Sequence, residues 1–204
     1  GEPVERLGYP LSVELGPGLV GAIFDGIQRP LEKLAQTSGA FLDRGDEVNA
    51  LDREKKWNIK IAVKKGNEVQ PGQVVATCEE TPSLEHRILL PPKLSGTVIS
   101  CEKSRLFSVN EVLFTIKDSE GKKHDIRPFH RWPIKVGRPV FERLAPKEPL
   151  VTGERIIDTF FPLAKGGTAS IPGGFGTGKT MTQHALAKWC DADLIVYIGC
   201  GERG

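Results

Sequence analysis

Long apolar runs are missing from this sequence, and so is a strong excess of charge of either sign. No stretch of about 18 apolar residues occurs, and the N-terminus lacks the basic-then-apolar pattern of a secretion signal. We therefore expect a chain that neither spans a membrane nor is exported by that route. The 28 basic and 26 acidic residues leave a net charge of +2, which by itself would recruit neither nucleic acid nor an anionic membrane.

Cysteine and histidine are scarce and are not spaced as metal ligands. None of the cysteines forms a C-x-x-C pair, and no two histidines are arranged as a zinc site requires. The sequence therefore favours a reduced, cytosolic setting and structural roles for these side chains. The residues concerned are Cys78, Cys101, Cys190, Cys200, His86, His124, His130 and His184.

Three regions of different composition follow one another along the chain. Residues 1–38 are rich in glycine and contain a strand-like stretch at 11–15 and a short helix that begins at Pro30. Residues 39–127 contain short β-like runs separated by glycine and proline, which predicts a separate all-β module. After residue 128, strand-like and helix-like stretches alternate, as in an α/β domain. The strands predicted in the middle region are 57–63, 69–77, 88–90, 94–100 and 112–117.

The most specific motif is a glycine-rich loop that satisfies G-x-x-x-x-G-K-[ST] at every required position. Glycines let the main chain come close enough to surround a phosphate with N–H donors, and the following helix directs its positive end at the same anion. Lys179 would add a point charge for the β- and γ-phosphate oxygens, and the Thr180 hydroxyl would ligate Mg²⁺. This loop, which we call the phosphate loop, consists of Gly173, Gly174, Phe175, Gly176, Thr177, Gly178, Lys179 and Thr180.

The residues around the loop predict a strand, helix and strand in order. Residues 168–171 read as a short buried strand, 180–189 as a helix, and 193–199 as an apolar strand of a parallel sheet. Such a crossover makes the two strands parallel, so their ends lie at one edge of the sheet. Glu202 would then lie near the phosphates to polarise the attacking water, with Arg203 stabilising the transferred charge. The alternative is a surface ion pair just past the strand end.

Several stretches of this sequence resemble the A subunit of the V-type and archaeal A-type ATPases. They are the phosphate loop, IIDTFFP at 156–162, AKGGT at 164–168, TQH at 182–184 and YIGCGERG at 197–204. The similarity extends upstream to GPGLVG at 16–21, FDGIQRP at 24–30, ALDR at 50–53, KKW at 55–57 and ETPSLEH at 80–86. It thus covers essentially the whole chain.

This resemblance implies an α/β fold class. The chain would contain the start of a P-loop, RecA-like nucleotide-binding domain with a parallel sheet, an inserted all-β domain often called the bulge, and a remnant of an N-terminal β-barrel. The implied boundaries are 1–14 for the barrel remnant, 15–38 for the connection and first part of the nucleotide-binding domain, 39–127 for the bulge, and 128–204 for the P-loop part. The Walker B aspartate, the adenine-stacking aromatic residues and a helical domain would lie elsewhere in the family's chain, so we expect background hydrolysis from these residues alone.

The function implied by the resemblance is ATP hydrolysis or synthesis by a rotary, ion-translocating ATPase, with ATP or ADP and Mg²⁺ bound. Glu202 would activate water, Lys179 and Arg203 would contact the γ-phosphate, and Thr180 would hold Mg²⁺. The partners would be the B subunits, in an alternating hexamer of three A and three B copies, and the central and peripheral stalks. The assembly would lie on the cytoplasmic face of a membrane, with no nucleic acid involved. Whether H⁺ or Na⁺ is moved, and in which direction the motor runs, is not encoded here.

Departures from the family pattern, and other classes, bear on this interpretation. Gly174 stands where proline is more usual, and Thr177 replaces the cysteine of eukaryotic relatives. An F-type β chain usually has alanine in place of Phe175 and lacks the insertion. The insertion also separates this chain from a secretion-system motor. A protein that only binds nucleotide is a further alternative. The segments 63–75 and 94–98 also resemble a biotinyl/lipoyl-type barrel, but residues 78–92 contain no lysine, which favours a structural or docking module.

Overall fold

The computed structural model describes residues 1–204 except 2, 5, 7, 40–47, 141–142 and 202–204. The chain divides into two compact units, Gly1–Phe141 and Glu142–Gly204. Among the described residues, no helix has the length and apolar character needed to cross a membrane.

The first unit is built mainly of antiparallel β-structure. One four-stranded sheet has the order β5-β4-β2-β7, another has the order β3-β6-β8-β9, and β1 pairs with β10. One helix, α1 (Leu31–Ser38), follows β1, and Pro30, which was predicted at its first position, lies one residue before it. The strands are β1 (Ser12–Leu15), β2 (Lys56–Ile61), β3 (Glu68–Val69), β4 (Val74–Thr81), β5 (Leu84–Leu89), β6 (Gly96–Cys101), β7 (Arg105–Ser108), β8 (Phe114–Lys117), β9 (Lys123–Ile126) and β10 (His130–Pro133).

The two larger sheets share one apolar core because their strands alternate buried and exposed side chains. In β2, for example, Trp57 and Ile59 are buried whereas Lys56, Asn58 and Lys60 are exposed, the period of two that a half-buried strand requires. The core cluster takes side chains from both sheets, so each sheet covers the apolar face of the other. Its fully buried members include Ile59, Val75, Val98, Phe107, Phe114 and Ile116.

One glycine in the second sheet allows an unusually close backbone approach. A Cβ at Gly96, the first residue of β6, would overlap the carbonyl oxygen of Lys117, the last residue of β8. No rotamer change can relieve a clash with a backbone atom, so only glycine fits there.

A buried carboxylate attaches the residues that follow β1 to the β4–β5 hairpin. The Glu80 side chain is only 3% exposed and pairs with His86 Nδ1 at 2.8 Å. Its Oε1 also accepts hydrogen bonds from the backbone N–H groups of Gly18, at 2.6 Å, and Val20, at 3.2 Å. Burial opposes ionisation of Glu80, but these hydrogen bonds together hold its pKa below the usual value.

The second unit contains two short strands and two helices. They are β11 (Pro149–Leu150), α2 (Arg155–Phe160), β12 (Leu163–Ala164) and α3 (Lys179–Trp189). β11 and β12 pair in antiparallel register, Leu150 opposite Leu163. The helix predicted after the phosphate loop is confirmed, and it starts one residue earlier than predicted.

The parallel strands predicted on either side of α3 are not formed. Neither 168–171 nor 193–199 is a strand, the side chains at 194–198 are exposed, and every strand pair in the described part of the chain is antiparallel. Strands of a parallel sheet are stabilised by further strands beside them and by helices on both faces. The described residues of the second unit provide neither, so that part of the expected architecture was wrong for this chain as it stands.

Candidate functional site

The phosphate loop leads into α3 through glycines whose backbone conformations favour glycine. Gly176 has φ +80° and Gly178, the residue before the helix, has φ +81° and ψ 15°, a left-handed conformation that costs other residues about 1 kcal/mol or more. No side chain caps the helix start, and its first turn contains no acidic residue. The first N–H groups of α3 are therefore available to an external anion.

The loop is closed by its own hydrogen bonds. The Thr177 hydroxyl donates to the carbonyl oxygen of Gly174 at 2.8 Å, and Lys179 Nζ donates to the carbonyl oxygen of Gly173 at 2.6 Å. A Cβ at Gly173 would lie 2.5 Å from Thr177 Oγ1, whereas one at Gly174 would meet nothing within 4 Å. A side chain at 173 would therefore displace the Thr177 hydroxyl, whereas there is room for one at 174.

Two side chains of this loop have polar groups that a ligand could use. Lys179 uses one of its ammonium protons on Gly173, which leaves two donors for phosphate oxygens. Thr180 is exposed, and its hydroxyl makes no hydrogen bond within the part of the chain that the structure describes. Mg²⁺ prefers oxygen ligands and usually takes few from the protein and the rest from phosphate and water, so a single free hydroxyl at a helix start fits this ion. Phe175 is 99% exposed at the tip of the loop.

The other predicted catalytic side chains, Glu202 and Arg203, lie outside the described residues, so their positions stay predictions. The segment that leads to them does lie against the phosphate-loop helix. The rings of His184, on α3, and Tyr197 meet edge to face with their centroids 5.7 Å apart.

Sequence reasoning missed a carboxylate that organises the second unit. Asp158 accepts hydrogen bonds from the backbone N–H and hydroxyl of Thr152, which is fully buried, and from the backbone N–H of Gly153. The hydroxyl of Thr152, then its backbone N–H, are the main causes of a pKa of Asp158 below the usual range. The Thr-Gly-Glu triplet before a helix, with an acidic residue in its first turn, was the available signal.

Other site classes find no support in the described parts of the chain. There, no group of three or more His, Cys, Asp or Glu side chains could hold a metal ion. The tip of the β4–β5 hairpin, where a carrier domain would need lysine, consists of Pro82 and Ser83.

Comparison with family models gives two matches. Residues 48–135 match the ATP synthase alpha/beta subunit barrel-sandwich domain. Residues 153–204 match the nucleotide-binding domain of the ATP synthase alpha/beta family. The first match covers the two four-stranded sheets, and the second covers α2, the phosphate loop and α3.

Individual relatives match over the entire chain. It is 56% identical over 204 residues to the V-type ATP synthase alpha chain of Halothermothrix orenii, covering 100% of this chain and 35% of that one. It is 53% identical over the same length to the A subunit of the A-type ATP synthase of Methanopyrus kandleri, covering 34% of it, and 53% identical to that of Thermococcus kodakarensis, covering 35%. The chain thus spans about a third of the length of the curated relatives it matches. It belongs to the family of V-type ATP synthase alpha chains and A-type ATP synthase A subunits.

Proposed function

We propose that this chain is part of a catalytic A subunit, which binds ATP or ADP with Mg²⁺ and hydrolyses or forms ATP in a V/A-type rotary ATPase that moves H⁺ or Na⁺ across a membrane. The observation that carries the proposal is the phosphate loop. Its lysine and threonine are intact, two of its glycines, Gly176 and Gly178, have a left-handed backbone, and the helix behind it starts without a side-chain cap.

Each side chain of the site has a distinct role in this proposal. Lys179 and the free N–H groups at the start of α3 bind the β- and γ-phosphates and neutralise the charge that builds up during transfer. The Thr180 hydroxyl holds Mg²⁺, which supplies Lewis-acid stabilisation of the phosphate oxygens. Glu202 accepts the proton of the attacking water, and Arg203 contacts the γ-phosphate.

The partners in this proposal are those of a rotary ATPase. The A and B subunits alternate in a hexamer of three copies each, which binds central and peripheral stalks. The complex lies on the cytoplasmic face of a membrane, and this chain contacts the membrane only through the rest of the complex. The names of the relatives disfavour the alternatives, an F-type β-like chain or a secretion-system motor.

The test uses the full-length protein assembled with its partners. Lys179→Ala should weaken binding of Mg-ADP and abolish turnover, because the cation for the phosphates is gone. Glu202→Gln should leave Mg-ADP binding within about threefold while lowering the hydrolysis rate by roughly 10²-fold or more, as expected for loss of a general base. Isothermal titration calorimetry and a coupled ATPase assay measure the two quantities.

Lys188→Ala provides a matched control, because it removes a lysine from the last turn of the same helix, about 13 Å from Lys179. Binding and turnover should be unchanged. Unaltered Mg-ADP affinity in Lys179→Ala would refute the phosphate site. Wild-type turnover in Glu202→Gln would exclude that residue as the base.

A further inference from the structure

We infer that Asp158 is a positioning residue for the phosphate loop: it holds a turn against which the far end of the phosphate-loop helix is seated. This inference rests on the proposed function, because its consequences are read in ATP turnover. The turn contacts the end of the helix opposite to Lys179 and Thr180, so we expect its effect to be transmitted through the helix backbone.

The turn is fixed by hydrogen bonds that converge on one carboxylate. Asp158 Oδ1 accepts from the Thr152 N–H at 2.9 Å and from the Thr152 hydroxyl at 2.7 Å, while Oδ2 accepts from the Gly153 N–H at 3.1 Å. The same hydroxyl accepts from the Glu154 N–H at 3.1 Å. Thr152 is fully buried, so its polar groups would lose these partners without gaining water.

This turn also meets the C-terminal end of α3. Gly153 has φ +82°, and a Cβ there would lie 3.0 Å from the Cβ of Trp189, the last residue of the helix. The Asp191 N–H, just after the helix, donates to the carbonyl oxygen of Val151 at 2.8 Å. The backbone of 151–153 therefore touches the helix end through both packing and a hydrogen bond.

Helix α3 connects this contact with the phosphate loop. α3 has 11 residues and is about 16 Å long, with Lys179 and Thr180 at one end and Trp189 at the other. The packing of Gly153 against Trp189 and the hydrogen bond from the Asp191 N–H to Val151 help to fix the direction of this helix. A shift of the backbone at residues 151–153 would therefore tilt α3 and move the phosphate loop at its other end.

The kinetic signature follows from where Lys179 acts. A misplacement of about 1 Å at reacting groups can lower a rate by about 10²-fold, whereas ground-state binding through many N–H donors is less sensitive. In the full-length, assembled protein we expect Asp158→Ala to lower kcat by about tenfold or more. The KM for ATP and the Kd for Mg-ADP should change less than about threefold.

A pair of variants at Thr152 separates positioning from general loss of stability. Thr152→Val keeps the shape and removes the hydroxyl, so it should lower kcat in the same way as Asp158→Ala. Thr152→Ser keeps the hydroxyl and loses a methyl group, so its kcat should stay near the wild-type value even if its melting temperature falls. Because Thr152→Val is isosteric, it also serves if Asp158→Ala fails to fold.

The matched control is Asp191→Asn. It removes a carboxylate at the same helix end, one that makes an exposed ion pair with Lys165 at 2.9 Å, but it leaves the backbone N–H that contacts Val151. Its kcat should stay within about twofold of the wild-type value.

The outcomes distinguish this inference from the proposed function. Folded Thr152→Val or Asp158→Ala protein with wild-type kcat, even at a lower melting temperature, would overturn the positioning role and leave the phosphate site standing. Equal loss in Thr152→Ser and Thr152→Val would also overturn it, because the hydroxyl would not matter. A wild-type complex without ATPase activity, or a Lys179→Ala complex that keeps it, would overturn both.

Discussion

Replacing His130 should make the stability of the first unit less sensitive to acid. The His130 ring, in β10, is partly buried, and its Nε2 accepts a hydrogen bond from Arg138 at 2.9 Å. The imidazole must be neutral to accept this bond. Burial, and then the positive charge of Arg138, lower the pKa of His130 from 6.5 to about 4.

The sign and size of the effect follow from this pKa. Because the unfolded chain binds a proton near pH 6.5 and the folded chain does so only near pH 4, the unfolding free energy falls as the pH drops through this window. The linkage relation gives about 2 kcal/mol of lost stability between pH 7.5 and pH 5. Water that reaches the exposed part of the ring screens some of this, so we expect about 1 to 2 kcal/mol.

Urea unfolding at pH 7.5 and pH 5 measures this loss in the wild type and in His130→Gln. The glutamine oxygen can still accept from Arg138 but cannot titrate, so the variant should lose about 1 to 2 kcal/mol less than the wild type between the two pH values. The subtraction removes the contribution of the carboxylates, which titrate in both proteins. His124→Gln, which removes a different imidazole of the same unit, should keep the wild-type contribution of His130.

Two results would refute this reasoning. One is an NMR titration in which the His130 ring changes its shifts near pH 6.5. The other is a His130→Gln variant that retains the full wild-type dependence on pH.

Three further predictions concern a buried carboxylate, a backbone approach and the chain as a whole. Glu80→Ala should lower the unfolding free energy by about 2 to 4 kcal/mol, because the N–H groups of Gly18 and Val20 lose their acceptor; urea unfolding would show it, and a loss below about 0.5 kcal/mol would contradict it. Gly96→Ala should destabilise the unit by more than about 3 kcal/mol, because its Cβ overlaps the carbonyl oxygen of Lys117; a melting temperature equal to the wild-type value would count against this packing. The 204-residue chain alone should hydrolyse ATP only at background rate, and robust turnover in a coupled assay would show that the site residues expected elsewhere in the family's chain are not needed.

The strands of the first unit could be predicted where alternation and turn residues agree, and not elsewhere. β2 and β8 have apolar residues at every second position, and both strands lie close to their predicted places, as does β6. The predicted run 69–77 is instead two strands, β3 and β4, because Pro71-Gly72 makes a turn in its middle. β7 and β9 were missed, since charged or polar residues occupy half of β7 and most of β9, and each strand buries one side chain, Phe107 and Ile126 respectively.

Local chemistry was readable from the phosphate loop, but long-range hydrogen bonding was not. The loop residues 173–180 and the start of α3 follow from spacing rules that need no tertiary information. Asp158 had only a weaker local signal, the Thr-Gly-Glu triplet before α2, because its role depends on Thr152 and Gly153 folding back onto it. Likewise, nothing in the sequence around Glu80 indicates that it binds Gly18, 62 positions earlier.

The second unit has many large apolar side chains that its other described residues leave exposed. Apolar residues at 194–198, together with Phe160, Phe161 and Met181, are exposed, and among the described residues of this unit only Thr152 is fully buried. A pattern of that kind costs free energy unless other layers cover it, since each large side chain gains about 1.5 to 3 kcal/mol on burial. The curated relatives are about three times as long as this chain, and we expect their additional length to supply the neighbouring strands. The first unit has a closed core and should therefore unfold independently of that addition, whereas the second unit should gain its rigidity, and with it the phosphate site its catalytic geometry, only when those strands are present.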